Sequence, residues 1–380
     1  MKVVCLQENL QYGLSQVGRA VATRTSLPSL SNVLISTEDG QLRVAASDYN
    51  IAITTWIGAS TEEGGKVAVD ARLLSDFVMT LPNDQVTLSS ERGKFRLDVQ
   101  AGRDHAEING IDPDEFPVIP TVGAEAKTTS IDPAVLREMI NQVEFAAASD
   151  ESRPVLAGVL LRFDGDRLTM AAADGFRLAV REGRLNELAS ESLDVIVPAK
   201  ALRELGRLLA DATEPATLYV TPNQGQLIAK FGTVEFLSRL IEGAFPDFRQ
   251  IVPRDFSTQV ELGRDALMTA VKRSSYFARD NNDAIRLSIK PAEDELMPGL
   301  IEVSANAAER GNSQSFVDAA IQGPEMQVAF NARYLNDVLN VIRSGQATLG
   351  LNGTNQAGVI RQTGDDDYTH VIMPMVIGAS

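Results

Sequence analysis

Val67-Ala-Val-Asp-Ala71-Arg-Leu-Leu-Ser-Asp-Phe77 is written three times along this chain. It returns as Val195-Ile-Val-Pro-Ala199-Lys-Ala-Leu-Arg-Glu-Leu205, and again as Val328-Ala-Phe-Asn-Ala332-Arg-Tyr-Leu-Asn-Asp-Val338. The shared alanine advances by 128 and then by 133 positions. A period that long marks a repeated domain, because solenoid units run roughly 20–50 residues.

Three further landmarks keep their order inside each copy. A leading helix carries Leu10, Leu136 and Leu267 at equivalent places. The strand pair Val33–Asp48 matches Val159–Asp174, and a looser third version runs through Leu287-Ser-Ile and Ile301–Asn306 with a longer insert. After the repeated segment come Val86-Thr-Leu88, Ala216-Thr-Leu218 and Ala347-Thr-Leu349. Small drifts in spacing fit insertions in surface loops.

Within each copy, apolar residues recur at helical spacing on one face: Leu10, Leu14, Val17 and Val21, then Leu136, Met139, Ile140 and Val143. The second helices repeat this with Leu202, Leu205, Leu208 and Leu209, and with Leu335, Val338, Leu339 and Ile342. Asp132-Pro133 reads as an N-cap followed by proline at the first helical position. Asp39-Gly40, Asp164-Gly165, Ser90–Gly93 and Thr221–Gly225 read as hairpin connections. The expected class is α+β: three tandem copies of a two-helix, antiparallel-sheet domain, over 1–125, 126–253 and 254–380. Linkers are expected near Thr121–Thr129 and Pro253–Thr258. Proline-bearing segments around Pro117, Pro246 and Pro374 close the copies, since proline cannot extend a central ladder.

The formal net charge is −16, which on its own disfavours a nucleic-acid partner. Its distribution is uneven. The six helical windows Gln7–Arg24, Ala71–Met79, Pro133–Ala148, Ala199–Leu209, Asp265–Ala278 and Ala332–Arg343 hold 11 Lys/Arg against 7 Asp/Glu, leaving −20 for the rest. Ordinary solvated faces account for such a split as well as a polyanion does. The single Cys5 excludes an internal disulfide framework and fits a reducing compartment. Met1-Lys-Val-Val-Cys-Leu-Gln-Glu8 lacks an apolar signal segment, and a cytoplasmic location is expected.

No enzyme signature stands out. His105 and His370 are the only histidines and lie far apart in sequence. No Walker loop, dinucleotide turn or nucleophile elbow is present. Asp365-Asp-Asp367 reads as an acidic hairpin turn in preference to a cation site. Neither metal nor cofactor is expected.

Taken together, the triplicate layout, Ala172-Ala-Asp174-Gly175-Phe-Arg177-Leu178, Phe245-Pro246-Asp247 and Val371-Ile-Met373-Pro374-Met375 resemble the bacterial DNA polymerase sliding clamp family. The resemblance covers essentially the whole chain. It implies a DNA clamp fold and a ring-forming, head-to-tail homodimer around duplex DNA, without catalytic activity, working at the replication fork in the nucleoid. Arg24, Arg72, Lys200, Arg203 and Arg333 are then candidates to face DNA; individually each also reads as a solvated surface charge. A partner-peptide pocket would use Leu156, Gly175, Phe176, Arg177, Leu178, Pro246, Asn331, Tyr334, Val371, Ile372, Met373, Pro374 and Met375. For Leu178, Val371 and Ile372 a role as core strand residues is equally open.

The resemblance implies a dimer interface of Ala106 and Ile108 against Tyr276 and Phe277, which alternatively belong to domain cores. Implied partners are the replicative DNA polymerase catalytic subunit, a clamp loader, and other clamp-motif proteins such as repair polymerases, mismatch-repair proteins and ligase. A specialised clamp paralogue is the alternative. Two departures stand out: residues continue past Met375 as Val376-Ile-Gly-Ala-Ser380, and Gln250 stands where the family often has arginine.

Overall fold

The computed structural model describes residues 1–91, 93–121, 128–150, 152–189, 191–292, 294, 297–307 and 311–376. Most of the expected linker at Thr121–Thr129, Arg92 in the Ser90–Gly93 connection, and the tail beyond Val376 lie outside the described residues. Among those described are six α-helices: α1 (Gln7–Val17), α2 (Ala71–Thr80), α3 (Pro133–Val143), α4 (Ala199–Leu208), α5 (Arg264–Ala278) and α6 (Ala332–Val341).

The thrice-written segment is a strand-to-helix corner. Lys66–Asp70 is a strand, Asp70 is the N-cap, and Ala71 opens α2; the Asp70 carboxylate accepts from Leu73 N at 2.7 Å. In the third copy Asn331 does the same, accepting from Arg333 N at 2.9 Å. Such caps satisfy one of the helix's orphan donors and stabilise by about 1 kcal/mol. Pro198 takes the corresponding place in the second copy, where it cannot cap with a side chain.

The chain divides into two compact units: Met1–Arg137, Leu185–Ser190 and Lys200–Leu240 form one, and Glu138–Arg184, Glu191–Ala199 and Ile241–Ser380 the other. Each unit holds one continuous sheet, of 13 and 12 strands respectively, and the second copy contributes strands to both.

In the first unit, the second copy's strand Val234–Arg239 pairs antiparallel with the first copy's Ile51–Ile57, from Val234 opposite Thr55 to Ser238 opposite Ile51. We call this the first seam. The second unit repeats the arrangement. The third copy's Asp365–Ile372 pairs with the second copy's Arg177–Arg184, from Arg177 opposite Ile372 to Arg181 opposite Tyr368, as the second seam. One further bond extends each: Arg239 N to Asn50 O and Met373 N to Phe176 O, both 2.8 Å.

The apolar stripes face inward. Leu10, Leu14 and Val17 are buried where α1 packs on α2 and on the strands Gln41–Ser47 and Ile51–Ile57. Leu335, Val338, Leu339 and Ile342 join one core cluster with Val271, Leu287, Val303 and Tyr368. Each fully buried aliphatic side chain is worth about 1.5–3 kcal/mol.

Boundaries depart from expectation in two places. The leading helix ends at Val17 and tightens into one 3-10 turn, Gly18–Ala20, so Val21 and Arg24 lie in the following connection. Val17-Gly18 is a poor site for helix continuation, because glycine loses most backbone entropy there. The second copy's hairpin pairs Asp164 with Arg167, placing its two-residue turn at Gly165-Asp166 with Gly165 at φ +57°. The expected Asp39-Gly40 turn forms, with both residues at positive φ.

Candidate partner-binding site and helix-borne cations

At the start of the second seam the chain makes a tight turn, Asp174-Gly175-Phe176-Arg177. One Asp174 carboxylate oxygen accepts from Phe176 N at 2.8 Å and Arg177 N at 3.0 Å. Gly175 sits at φ +95°, a region side chains rarely enter. Arg153 donates to Asp174 O at 3.1 Å from outside the turn.

The turn aims Arg177 inward, where its guanidinium is almost fully engaged. It donates through Nε to Asp174 at 3.0 Å, through Nη1 to Asp337 at 2.5 Å, and through Nη2 to Phe145 O at 2.7 Å. Its central carbon, Cζ, lies 4.4 Å from the Tyr334 ring centroid and 5.4 Å from that of Phe145. Only 10% of the side chain is exposed. Beneath it His370 is fully buried, stacked on Phe145 at 5.6 Å, with neither ring nitrogen bonded among the described residues. Burial, aided by the Arg177 charge, depresses its pKa to about 3. Burial and the neighbouring Asp174 carboxylate raise the Tyr334 phenol.

The expected pocket set therefore separates into layers. Phe176 is 60% exposed and Met373 42%, with Gly175 and Pro246 also at the surface. Leu156, Pro374 and Met375 are half-buried. Leu178 and Val371 form an apolar floor with Leu160, Ala171, Phe248 and Val359. Ile372 belongs to the third copy's core and is fully buried, so it supports the site from behind and cannot line it. Strand alternation explains the division between Val371 and Ile372, since neighbours point to opposite faces. Asn331 spends its carbonyl oxygen on capping α6, and its amide donates to Asn282 O at 3.4 Å. Gln250 is tied to Asp247 at 2.9 Å.

Asp337 and Phe145 were not singled out by sequence, Asp174 was quoted only within its motif, and His370 was noted only as one of two histidines. Asp337 lies one helical turn after Tyr334, a spacing that could have flagged it.

The cations form a second group. Arg72, Lys200 and Arg333 are each the second residue of α2, α4 and α6, and all are exposed. None of these first turns carries an acid. A cation at a helix N-terminus opposes the macrodipole, at a cost of about 0.3–1 kcal/mol, so three repeats of it call for a reason outside stability. Arg72 is 91% exposed, and Arg333 leans on Asp283 at 2.8 Å. Arg203 is exposed on α4, whereas Arg24 is exposed in the connection after α1.

The expected interface residues also divide. Ala106 is half-buried on the strand Asp104–Ile111, Tyr276 is 53% exposed on α5, and Phe277 packs partly on the third copy's core. Ile108 is a core residue at 3% exposure, turned inward by strand alternation, so it is unavailable as a surface anchor. The sole trio of His, Cys or acidic ligand atoms within 4.8 Å of one another among the described residues is Asp98, His105 and Glu107. Arg96 already reaches both carboxylates, at 3.5 and 2.8 Å. In the Asp365–Asp367 run, Asp365 is taken by Arg181 and Gln362. No helix among the described residues is long and apolar enough to cross a membrane.

Residues 1–120, 130–247 and 249–376 match, in that order, the N-terminal, central and C-terminal domain models of the DNA polymerase III beta subunit. The chain belongs to that family. It is 34% identical to the beta sliding clamp of Synechococcus elongatus over 380 residues, covering 99% of each chain. Its fold matches the solved DNA polymerase sliding clamp of Bacillus subtilis with a TM-score of 0.93 at 29% identity, again covering 99% of each. A Pseudomonas aeruginosa sliding clamp solved bound to griselimycin matches with a TM-score of 0.91 at 30% identity, over 99% of this chain and 100% of that one.

Proposed function

We propose that this protein is a DNA sliding clamp: two copies close head to tail into a ring around duplex DNA and tether the replicative polymerase. Each chain supplies three clamp domains, 1–125, 126–253 and 254–380. The observation that carries the closure is a pair of strand edges that no other strand among the described residues pairs with. Asp104–Asn109 pairs with Arg96–Ala101 on one side, and only Gly110 and Ile111 reach another strand on the other. Gly311–Asp318 likewise pairs with the strand Gly299–Ala307, and only Ala319–Gln322 continues to a second neighbour.

Asp104–Asn109 stands in the first copy where Val234–Arg239 stands in the second and Asp365–Ile372 in the third. Each strand follows a glycine at positive φ: Gly102, Gly232 and Gly364. Two such strands are paired at the seams within the chain. The third joins the free edge of a second copy, which also removes an exposed ladder that invites aggregation. Tyr276 and the 57% exposed Phe316 supply apolar contact beside it, and Ala106 lies on the joining strand.

Arg24, Arg72, Lys200, Arg203 and Arg333 face the phosphates through sequence-independent contacts weak enough to permit sliding. Partner segments dock at the second seam over Leu178 and Val371, between Phe176, Pro246, Met373 and Met375. Adaptable Met side chains suit varied apolar anchors. The polymerase catalytic subunit, clamp loader and repair proteins share this site. The protein has no catalytic activity of its own, is loaded by a separate ATP-driven loader, and works in the cytoplasm on the nucleoid.

The deciding experiment loads the protein onto circular duplex DNA with a bacterial clamp loader and washes at high salt. Retention on the closed circle and loss on linearisation are expected. Equal retention on both, or a monomer by light scattering at micromolar concentration, would overturn the ring.

A further inference from the structure

Asp76, Glu204 and Asp337 hold the same place in the three copies, each sixth in its second helix, α2, α4 and α6. Two of them are met by a cation from the preceding copy: Arg19 reaches Glu204 at 3.5 Å, and Arg177 reaches Asp337 at 2.5 Å. Asp76 belongs to the first copy, which has no predecessor in the chain, and its ion pair is with Arg72 of its own helix at 3.8 Å. Its side chain is 66% exposed, against 21% for Glu204 and 40% for Asp337. One turn earlier the contrast repeats, with Leu73 exposed, Ala201 buried and Tyr334 half-buried. Residues three apart share a helix face, so α2 presents Leu73 and Asp76 together.

The complementary face lies on α5. Six residues after Leu10 and Leu136 stand Gln16 and Gln142, both buried. At the second seam α6 meets the latter, whose Nε2 donates to Val341 O at 3.2 Å. Six residues after Leu267 stands Arg273, exposed and without a partner among the described residues. The three leading helices otherwise bury alike: Leu14, Ile140 and Val271 lie four places on, and Val17, Val143 and Ser274 seven places on, all buried. So α5 is seated as α1 and α3 are, and Arg273 is bare because no following copy lays a second helix on it. One turn further Tyr276, in the place of Arg19 and Phe145, is exposed as well.

We infer that Asp76 of one protomer pairs with Arg273 of its partner, beside a Leu73–Tyr276 contact, so that the acid–cation contact of both seams is made a third time between chains. The inference rests on the ring reading and adds the charge pair that closes it. The two bare faces carry opposite charge, and each is the counterpart of a face engaged within the chain. That selects a second copy as the occupant, and the pair fixes its register.

Two charge reversals test it by sedimentation velocity at one ionic strength. Asp76→Arg and Arg273→Asp should each weaken the dimer by about tenfold or more, because both contacts of either homodimer then set like charges together. Mixed in equal amounts, the two variants should form a heterodimer at close to wild-type affinity, since both of its contacts join opposite charges. A fault of folding would not be cured by mixing. Asp76→Asn and Arg273→Gln serve as milder variants should a reversal lower the melting temperature; each should weaken the dimer less and flatten its salt dependence. Unchanged affinity in the single variants, or no recovery on mixing, would overturn the pairing and leave the ring standing. A wild-type monomer at micromolar concentration would overturn both.

Discussion

The two seams are built from the same turn and the same strand pairing, yet different side chains gather at the two turns, and the candidate site lies at the second. At the first, Asp48 accepts from Asn50 N and Ile51 N at 2.9 and 2.8 Å, as Asp174 does from Phe176 and Arg177. The residue that follows is Ile51 in one and Arg177 in the other. The acid on the next copy's second helix is kept in both, Glu204 and Asp337, but is met from different directions. Arg19, in the 3-10 turn after α1, reaches Glu204 at 3.5 Å. At the second seam Phe145 stands in Arg19's place, and the cation comes from the turn itself. Moving one guanidinium from helix end to strand start locks Asp174, Asp337, Phe145 and Tyr334 around a single residue. Phe176 and Met373 are left at the surface above it.

The largest difference should appear on removing the two guanidiniums. Arg177→Ala leaves the buried Asp174 and the part-exposed Asp337 without their shared cation. It should destabilise the second seam by about 2–4 kcal/mol, reduced from the figure for a fully buried pair because Asp337 is 40% exposed. Arg19→Ala removes a longer, part-exposed contact and leaves Glu204 held by Arg207 at 2.6 Å, so it should cost about 0–1 kcal/mol. Hydrogen exchange of Asp365–Ile372 against Val234–Arg239 reads the two effects separately. Equal protection loss would erase the contrast.

Acid should separate the seams next, and with opposite signs. His370 is held neutral, its pKa depressed to about 3. The unfolded chain, with an ordinary histidine near 6.5, binds more protons below that pH. Stability is therefore fully present above about 6.5 and falls toward pH 3, by up to about 1.4 kcal/mol per pH unit. His370→Phe should flatten this limb in a urea series at stepped pH. The first seam carries Glu235, 6% exposed, its carboxyl pKa raised mainly by burial. Its contribution is fully present below the ordinary carboxyl range and is lost as pH rises through the raised value. Glu235→Gln should remove that alkaline-side loss and leave the acid limb intact. A variant that also moved the acid limb would contradict the assignment.

Much of this was legible before the fold. Period, caps and apolar stripes fixed three copies and placed Leu10, Leu136 and Leu335 in cores, because helical spacing is a local property. The resemblance brought Arg177 and Met373 to one place. What escaped was relational. Asp337 and Phe145 acquire meaning only from their distance to Arg177, and His370 only from burial. The resemblance also offered Ile108 as an interface anchor and Ile372 as a pocket residue, with a core role left open for both. Strand alternation turns both inward, and its phase could not be set without knowing which neighbour each strand joins. Arg24 was assigned to a helix that ends at Val17.

The smallest effect concerns the turns themselves. Gly175 at φ +95° has Tyr49 as its counterpart, at φ +71° and 45% exposed. A side chain in this region costs roughly 1–2 kcal/mol, whereas glycine there gives back about 0.5–1 kcal/mol through the entropy of the unfolded chain. Tyr49→Gly should therefore stabilise the first seam by less than about 1 kcal/mol. Gly175→Ala places a Cβ 3.5 Å from Arg153 Nη1, ordinary contact, so its cost is backbone strain alone. It should destabilise the second seam by about 1 kcal/mol while the Asp174 bonds persist. Opposite signs in paired denaturation curves would mean that the two turns share one backbone and differ only in what they carry. Equal signs would mean that Tyr49 packs in a way that repays its strain.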